Sequence, residues 1–477
     1  MVRSLSAARE RRKATTPYAG FPAFVIVWCG QFASLTGSAL SAFALAVYIY
    51  QLTGSVTALA MVYALAFLPL IGASAFTGSL VDRWGVRRSM LVGNAGSLLV
   101  MLTLAGLLFT DTFAAWHIYV IVTANSVLRA LHMPAFAASI PLLVPKRQIG
   151  RANGMRMVAL ATSQVLAPAA AGGLLMAIDV SGLILLDYVS YGLAILTLLV
   201  VRIPLAHGTE KSTGRGLPAL LRDFGQAWRY VVARPGLRAL LLLIAALNFG
   251  AGFVDVLITP LVLAFASSQA LGVALSVGGI GMIIASVAMS VWGGPRRRVR
   301  AILWSSLVLA AATVIGSVRP SVPLVAVAAF VFMGALAVII STNQSIWQTK
   351  VEPRLLGRTM AMQNMVANAP QLLSYVLAGP AADAVFEPLV GRDRVRAPLL
   401  ALIVGDGPGR GIALLFMLVG GFIGLCVAVA ASSARLRRLE DDLPDAVGDE
   451  ETVGEEPAVH QPALKASSSS DGAAMNP

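Results

Sequence analysis

The feature that most constrains this chain is a succession of apolar segments, each long enough to cross a lipid bilayer. A membrane-spanning helix needs about 20 mostly apolar residues. The 477 residues are 57% hydrophobic and 12% charged, whereas soluble proteins carry about 25% charged residues. The first apolar run is too long for a cleaved signal peptide and is expected to remain as a helix. We predict an all-α membrane protein with twelve transmembrane segments, called spans 1 to 12, at 21–50, 56–80, 89–110, 116–143, 154–178, 181–201, 238–264, 269–292, 301–318, 322–346, 359–386 and 409–432.

Lysine and arginine are distributed so as to predict an orientation. If the N-terminus is cytoplasmic, 30 of the 36 basic residues fall in cytoplasmic segments, as the positive-inside rule requires. Topology thus explains the net charge of +13, and we expect no nucleic-acid surface, which would gather basic residues on one folded face. We predict a multi-pass protein of the bacterial inner membrane with both termini cytoplasmic.

Polar segments divide the chain into two halves. Six-helix halves are predicted at 21–201 and 238–432, joined by a polar cytoplasmic linker at 202–237. The later part of this linker repeats apolar residues at helical spacing, which predicts an amphipathic helix on the membrane surface. Residues 1–20 are expected to form a cytoplasmic tail. The acidic, serine-rich residues 433–477 contain too little apolar material for a core and are predicted to be a disordered cytoplasmic tail.

The two halves share sequence. IGRANGMRMVA (149–159) precedes most of span 5, and LGRTMAMQNMVA (356–367) opens span 11. Further along, AGG (171–173) matches AGP (378–380) at the same offset of 207 residues. Parallel repeats of this kind build some secondary transporters, whose substrate site lies between the halves near the middle of the membrane.

A charged motif follows span 2, with the sequence GSLVDRWGVRR (78–88). It resembles the loop signature of the major facilitator superfamily between the second and third helices. VWCGQFASLTGSALSAFALAVYIYQLTGS, LRALHMPAFAASIPLLVP and GPGRGIALLF resemble, more narrowly, the drug and siderophore efflux branch, which includes macrolide exporters and the enterobactin exporter. The resemblance covers about residues 20–435 and implies two pseudo-symmetric six-helix halves.

The same resemblance implies that the motif is a conformational latch. Asp82 is expected to meet the start of span 11, near residues 357–359, and to hold the cytoplasmic side shut. A carboxylate at a helix N-terminus is favoured by the helix dipole and by free amide groups. The alternative is a basic loop that only sets topology. The predicted latch residues are Gly78, Asp82, Arg83, Gly85, Arg87 and Arg88.

Ionisable residues inside the spans are candidates for proton coupling, because a charge at the bilayer centre costs roughly 2.5 to 3.5 kcal/mol on insertion scales. Arg129 in span 4 resembles the arginine with which related exporters tune a proton-binding carboxylate; a structural arginine bonded to carbonyls is the alternative. Residues 21–81 contain no acid, so coupling is expected to rest on Asp187 or Asp255, although Asp187 could simply pack helices. Three further acids near the outer ends are expected to be solvated: Asp111, Asp179 and Asp383.

Polar residues at helical spacing predict a substrate cavity. Gln31 and Ser38 are seven residues apart in span 1, as are Asn248 and Asp255 in span 7, and this spacing places each pair on one helix face. His132 follows Arg129 by one turn, but it could equally be a neutral interior histidine. The predicted cavity residues are Gln31, Ser38, His132, Asn248, Asn343 and Gln344.

Proline and small residues in spans 5 and 11 predict helix bends. Proline bends a helix, and glycine permits close helix packing. The pattern resembles the bend by which antiporters seal the inner leaflet; generic packing of membrane helices is the alternative. The residues concerned are Pro168, Gly172, Gly173, Gly379 and Pro380.

These features predict a secondary active exporter of amphipathic small molecules, such as drugs, macrolide-like natural products or siderophores, by alternating access. Proton antiport is the expected driving reaction. The alternatives are an uptake or facilitated-diffusion carrier and, from another class, a membrane sensor that does not transport. We expect no enzymatic activity, cofactor or metal, because the sequence contains neither HExxH nor clustered cysteines. We also expect a monomer.

Overall fold

The computed structural model of the chain describes residues 20–110, 112–201, 203, 217–390 and 408–443. The predicted N-terminal tail before Gly20, Asp111, most of the linker before residue 217 and the chain after residue 443 lie outside the described residues. Within the described part the regular structure is helical throughout. An all-α membrane protein is therefore confirmed.

The first half contains α1 (Phe21–Thr53), α2 (Val56–Trp84), α3 (Val86–Phe109) and α4 (Ala115–Leu143). A short 3-10 turn then leads into the helical stretch Ile149–Val200, which is broken at Asp179 by a backbone conformation of φ 54° and ψ −177°. The segments on either side of this break, residues 149–178 and 180–200, are α5 and α6.

The second half follows an amphipathic helix, α7 (Leu217–Val232). Its helices are α8 (Pro235–Leu263), α9 (Ser268–Trp292), α10 (Arg298–Val318), α11 (Val322–Lys350), α12 (Pro353–Pro380) and α13 (Arg410–Ser432). The end of α12 continues as a π-helix over Ala381–Phe386 and one α-helical turn at Glu387–Val390.

Nine helices in the described part are long and apolar enough to cross a membrane. This number treats Ala167–Val200, which includes parts of both α5 and α6, as one helix. Val56–Gly72 of α2 is a further apolar helical segment of shorter length, and α12 is less apolar than its neighbours. The count of twelve spans therefore stays a prediction. A multi-pass membrane protein is confirmed.

Small residues allow the helices of each half to pack closely. A side chain at Gly30 of α1 would lie 2.3 Å from the Thr197 hydroxyl of α6, and one at Gly281 of α9 would lie 2.3 Å from the Phe330 carbonyl of α11. Membrane helices attract one another mainly through such close packing, because lipid tails are as apolar as leucine. The packing of α1 against the stretch that contains α5 and α6, and of α9 against α11, consequently forms much of the two bundles.

The halves meet at two helix pairs, α2 with α12 and α5 with α9. The face that carries the turn between α1 and α2 is predicted to be extracellular and is called the outer face; the opposite one is the inner face. Near the outer face, Gly379 of α12 lies against Thr57 of α2, and Gly172 of α5 lies against Ser268 of α9. Val47 and Val262 join one apolar cluster there, from α1 and α8. The protein is thus closed at its outer face.

Two polar contacts attach peripheral segments to the inner end of the second half. In α7, Asp223 forms an ion pair of 3.4 Å with Arg358 of α12. At the chain's far end, Glu440 accepts a 2.6 Å hydrogen bond from the Arg298 backbone nitrogen at the start of α10. The prediction of disorder is wrong for residues 433–443, because these residues form two short helices that bury Leu439 against the base of α8.

Candidate functional site

A cavity of about 380 Å³ lies at the junction of the two halves, within the usual range of about 300 to 1,000 Å³ for small-molecule pockets. Most of its wall comes from the second half, through α8 to α11 and α13. Tyr63 of α2 and Pro168 of α5 complete the wall from the first half. The lining is mainly apolar, and Asp255 is the charged residue among the described residues that form it.

Two side chains of α12 hold the Asp255 carboxylate. Its Oδ2 accepts hydrogen bonds of 3.1 Å from Gln371 Nε2 and 3.1 Å from the Tyr375 hydroxyl. The Tyr375 ring packs edge-on against Phe67 of α2 at 5.5 Å and lies 5.8 Å from the Tyr63 ring. The carboxylate is therefore connected to both halves, directly through α12 and indirectly through the aromatic rings of α2.

A separate polar cluster lies inside the first half, around Asp187. This side chain is fully buried, and its Oδ1 accepts hydrogen bonds of 3.3 Å from Ser38 and Ser190. Ser38 Oγ lies 2.8 Å from the Tyr191 hydroxyl, which donates to Asn125 at 3.4 Å. The cluster joins α1, α4 and α6 through polar groups.

Next to this cluster is a small cavity of about 20 Å³, enough for one water molecule. Gln31, Asn94, Arg129 and His132 are among its lining residues. Among the residues that the structure describes, both amide atoms of Gln31, Nδ2 of Asn94, Nε2 of His132 and Oδ2 of Asp187 are buried without hydrogen-bond partners. Because buried polar groups are nearly always bonded, this arrangement has the groups needed to bind water.

The predicted cavity residues do not form one site. Gln31, Ser38 and His132 line the small cavity, whereas none of the six lines the large one. Asn248 donates to Ala367 and Asn368 of α12 at 2.9 and 3.1 Å. In α11, Asn343 is buried and accepts a bond of 3.0 Å from Trp347, and Gln344 is exposed. Asp187 and Asp255, predicted for proton coupling, lie in the first and the second half, beside the small cavity and in the wall of the large one.

The predicted latch is described only in part. Gly85 ends α2 with φ of 82°, a left-handed conformation that favours glycine. Arg87 donates to the carbonyls of Leu198 and Leu199 at 3.0 and 3.3 Å, so it fixes the motif to the end of α6. Arg83 and Arg88 are exposed. At Gly78 and Asp82 only the backbone belongs to the described structure, and the contact of Asp82 with span 11 stays a prediction.

The predicted bend residues separate into different environments. A Cβ atom at Gly172 would lie 2.8 Å from the Ser268 carbonyl, but one at Gly173 would meet nothing within 4 Å. At Gly379 it would lie 2.4 Å from Thr57 Cα. Pro168 lines the large cavity, and Pro380 immediately precedes the π-helix.

The expectation that Asp383 is solvated is wrong. Its carboxylate, on the π-helix, accepts hydrogen bonds from the start of α2, 326 to 328 residues earlier in the chain. The sequence analysis did not identify Gln371, Tyr375 or Tyr191 as site residues. Tyrosine and glutamine in a membrane helix give no sequence pattern that identifies their partners. In the described part, no group of three or more histidine, cysteine or acidic side chains is arranged to hold a metal.

Comparison with known proteins agrees with this architecture. Residues 27–375 match the model of the Major Facilitator Superfamily. Macrolide efflux protein A of Streptococcus pyogenes is 25% identical over 371 residues, which cover 76% of this chain and 90% of that protein. Macrolide efflux protein A of Enterococcus faecalis is 24% identical over 311 residues, covering 63% of this chain and 94% of that protein.

Solved transporters share the fold. The nucleoside transporter NupG superposes with a TM-score of 0.64 at 10% identity and covers 86% of this chain and 99% of its own. A bacterial homologue of the human lysosomal transporter Spinster, in an inward-facing and unoccupied conformation, gives 0.64 at 13% identity, covering 86% and 98%. With a family match over most of its length and this fold, the chain belongs to the major facilitator superfamily, a family of transporters.

Proposed function

We propose that this transporter exports an amphipathic small molecule by alternating access, in exchange for protons. Drugs, macrolide-like natural products and siderophores are the substrate classes concerned. The proposal places it in the bacterial inner membrane with both termini in the cytoplasm. The observation that carries it is the cavity of about 380 Å³ between the halves, apolar except for a few groups that include Asp255.

The cavity suits an amphipathic molecule because its apolar walls and the Asp255 carboxylate offer different contacts. Burial of apolar surface contributes roughly 25 cal/mol per Å², and polar groups placed among apolar walls orient a ligand. The similarity to two macrolide efflux proteins supports outward transport. An outward direction also needs an energy source, since an exporter works against the concentration of its substrate outside the cell.

Asp187, Asp255 and Arg129 are proposed to supply the coupling to protons. A charged carboxylate is costly in a buried site unless it is fully bonded, and Asp187 Oδ2 has no partner among the described residues. The neighbouring small cavity, lined in part by Arg129, gives room for water to deliver a proton. Each positive charge moved inward gains roughly 2.3 kcal/mol per 100 mV of membrane potential.

Accumulation assays in an exporter-deficient bacterium test this proposal. Cells expressing the protein are loaded with a panel of macrolides, siderophores and cationic dyes, with and without a proton uncoupler. We expect lower accumulation of at least one compound, and loss of that difference with the uncoupler. Higher accumulation would identify an uptake carrier, and equal accumulation of every compound would contradict export of these classes.

Asp255→Asn tests the role of the cavity carboxylate. The amide keeps the size of the side chain but removes the charge, so we expect substrate to bind while transport no longer follows the pH gradient. The control is Asp179→Asn, which makes the same change at an exposed position in the turn between α5 and α6. Unchanged proton-driven transport by Asp255→Asn would exclude Asp255 from coupling and leave Asp187.

A further inference from the structure

The carboxylate of Asp383 is bound by the first turn of α2. Oδ2 accepts from the Ser55 hydroxyl at 2.7 Å, from the Thr57 hydroxyl at 2.8 Å and from the Thr57 backbone nitrogen at 2.8 Å. Oδ1 accepts from the Val56 backbone nitrogen at 3.0 Å. Four donors thus converge on one anionic group at a helix N-terminus, where hydrogen bonds are strengthened by the charge and by the helix dipole.

This contact joins the two halves of the transporter. Ser55, Val56 and Thr57 begin α2 in the first half, and Asp383 lies on the π-helix that extends α12 in the second. The wider turn of a π-helix changes the direction of the side chains that it carries, and such turns occur often at functional sites. The contact is at the outer face, where the helices enclose the cavity.

Further contacts continue from this point towards the middle of the membrane. One helical turn inward, Gly379 approaches Thr57 so closely that a Cβ atom would lie 2.4 Å from Thr57 Cα. Another turn inward, the Tyr375 ring packs on the rings of Tyr63 and Phe67. Asp383, Gly379 and Tyr375, spaced by four residues, therefore lie on one stripe of the helix. All of these contacts must separate when the outer face opens.

The start of α2 remains capped when Asp383 leaves. Ser55 Oγ accepts a hydrogen bond of 3.2 Å from the Ala58 backbone nitrogen, so α2 has an N-cap within its own half. Separation of the halves consequently removes the bonds to Asp383 without unfolding the helix. A contact that can break in this reversible way suits a moving part better than a permanent structural bond.

We propose that Asp383 and residues 55–57 form an outer-face clasp that stabilises the outer-closed state of the transport cycle. In the outer-open state the carboxylate exchanges its four protein donors for water. Neutralising Asp383 weakens the closed state selectively. The proposal needs only the alternating access of the family and depends on neither the substrate nor the coupling ion.

The test measures the outer-open population by the distance between two spin labels. Cys29 and Cys426 are first replaced by serine, and labels are attached through Gln51→Cys and Arg319→Cys, at exposed positions in opposite halves. The purified protein is measured in lipid nanodiscs without substrate or pH gradient. A result here is therefore independent of whether the protein exports drugs or couples to protons.

For Asp383→Asn we expect the ratio of outer-open to outer-closed protein to rise about 5- to 30-fold, which corresponds to one or two kcal/mol. Glu387→Gln is the matched control, because Glu387 lies one turn away but bonds at 2.8 Å to the Gly409 backbone within the same half. We expect this control to change the ratio by less than about twofold.

Thr57→Val provides a second route to the same answer, because it removes one hydroxyl donor and keeps the side-chain shape. It should raise the outer-open ratio by a smaller factor than Asp383→Asn, and it carries the test if that variant does not fold. An unchanged ratio in the folded Asp383→Asn variant, or in Thr57→Val where it alone folds, would overturn the clasp. An equal rise in Glu387→Gln would do the same.

Discussion

Gly172 and Gly173 are adjacent in α5. A side chain should be disruptive at Gly172 but tolerated at Gly173. A Cβ atom at Gly172 would lie 2.8 Å from the Ser268 carbonyl, 3.1 Å from Gln269 Cα and 3.3 Å from Gly272 Cα, all in α9. At Gly173 it would meet nothing within 4 Å. Gly172→Ala therefore pushes the halves apart near the outer face, whereas Gly173→Ala adds a methyl group in open space.

The size of the effect follows from the overlap. Ordinary contact begins near 3.4 Å, so the Ser268 carbonyl must move by about 0.6 Å from its 2.8 Å position. Overpacking of this kind typically costs about 1 to 3 kcal/mol. Because the strain exists only while the outer face is closed, the outer-open ratio should rise about 5- to 150-fold.

The two variants control for each other. Replacing glycine by alanine in a helix interior stabilises the helix by roughly 0.5 to 1 kcal/mol, and this gain applies equally at both positions. Spin-label distances between Gln51→Cys and Arg319→Cys give the outer-open ratio, and thermal unfolding of each variant reports its stability. Equal ratios in Gly172→Ala and Gly173→Ala would refute the idea that the contact between α5 and α9 holds the outer face closed.

Two further predictions concern charges found by sequence. Arg129→Ala should remain in the membrane but lose active efflux, since the small cavity loses its cation. Arg129→Lys, which keeps the charge, is the control. Normal efflux by well-expressed Arg129→Ala would contradict a role of Arg129 in proton coupling. Asp82→Asn should raise the inner-open population about tenfold if the lost interaction with the helix dipole is worth about 1.4 kcal/mol. Spin labels at Arg147→Cys and Arg300→Cys measure this population. Identical distance distributions in wild type and variant would count against a latch.

The sequence was sufficient for the helical architecture because apolar length and basic loops are local properties. Asp255 stood out in the sequence because a carboxylate inside an apolar helix is rare, and the structure places it in the cavity wall; its part in proton coupling stays a prediction. The sequence could not show that Asn248, seven residues away, lies outside the cavity that Asp255 lines, although both side chains bond to α12. Seven residues preserve the helix face but move about two turns along the axis, and the cavity reaches Asp255 but not Asn248.

Partners distant in the chain explain the other errors. The position of Asp383 near a predicted outer end suggested solvation, but its donors belong to a helix more than 300 residues earlier. Glycines of the predicted bends looked alike in sequence, yet Gly172 faces α9 and Gly173 faces open space. Which face of a helix meets the other half is decided by the tertiary arrangement of both halves, so local periodicity alone does not contain it.

The internal repeat, viewed on the structure, reveals why the two cross-half contacts differ. Gly172 and Gly379 are separated by the repeat offset of 207 residues, and each packs against the first turns of a helix in the opposite half, α9 or α2. Both of those helices have a serine N-cap, Ser267 and Ser55. Gly379 is followed four residues later by Asp383, whereas the equivalent position after Gly172 is Met176.

The pseudo-symmetric scaffold therefore carries a charge on one side only. At the contact between α5 and α9, Gly172 lies against the backbone of Ser268 and Gly272, whereas opening the contact between α2 and α12 breaks four hydrogen bonds to a carboxylate. Because hydrogen bonds to charged groups are worth more than neutral ones, the second contact should dominate the free energy of outer-face opening. Asp383→Asn would then make the two contacts more nearly equal, and adding Gly172→Ala should raise the outer-open ratio further, by roughly the product of the single effects if the sites act independently.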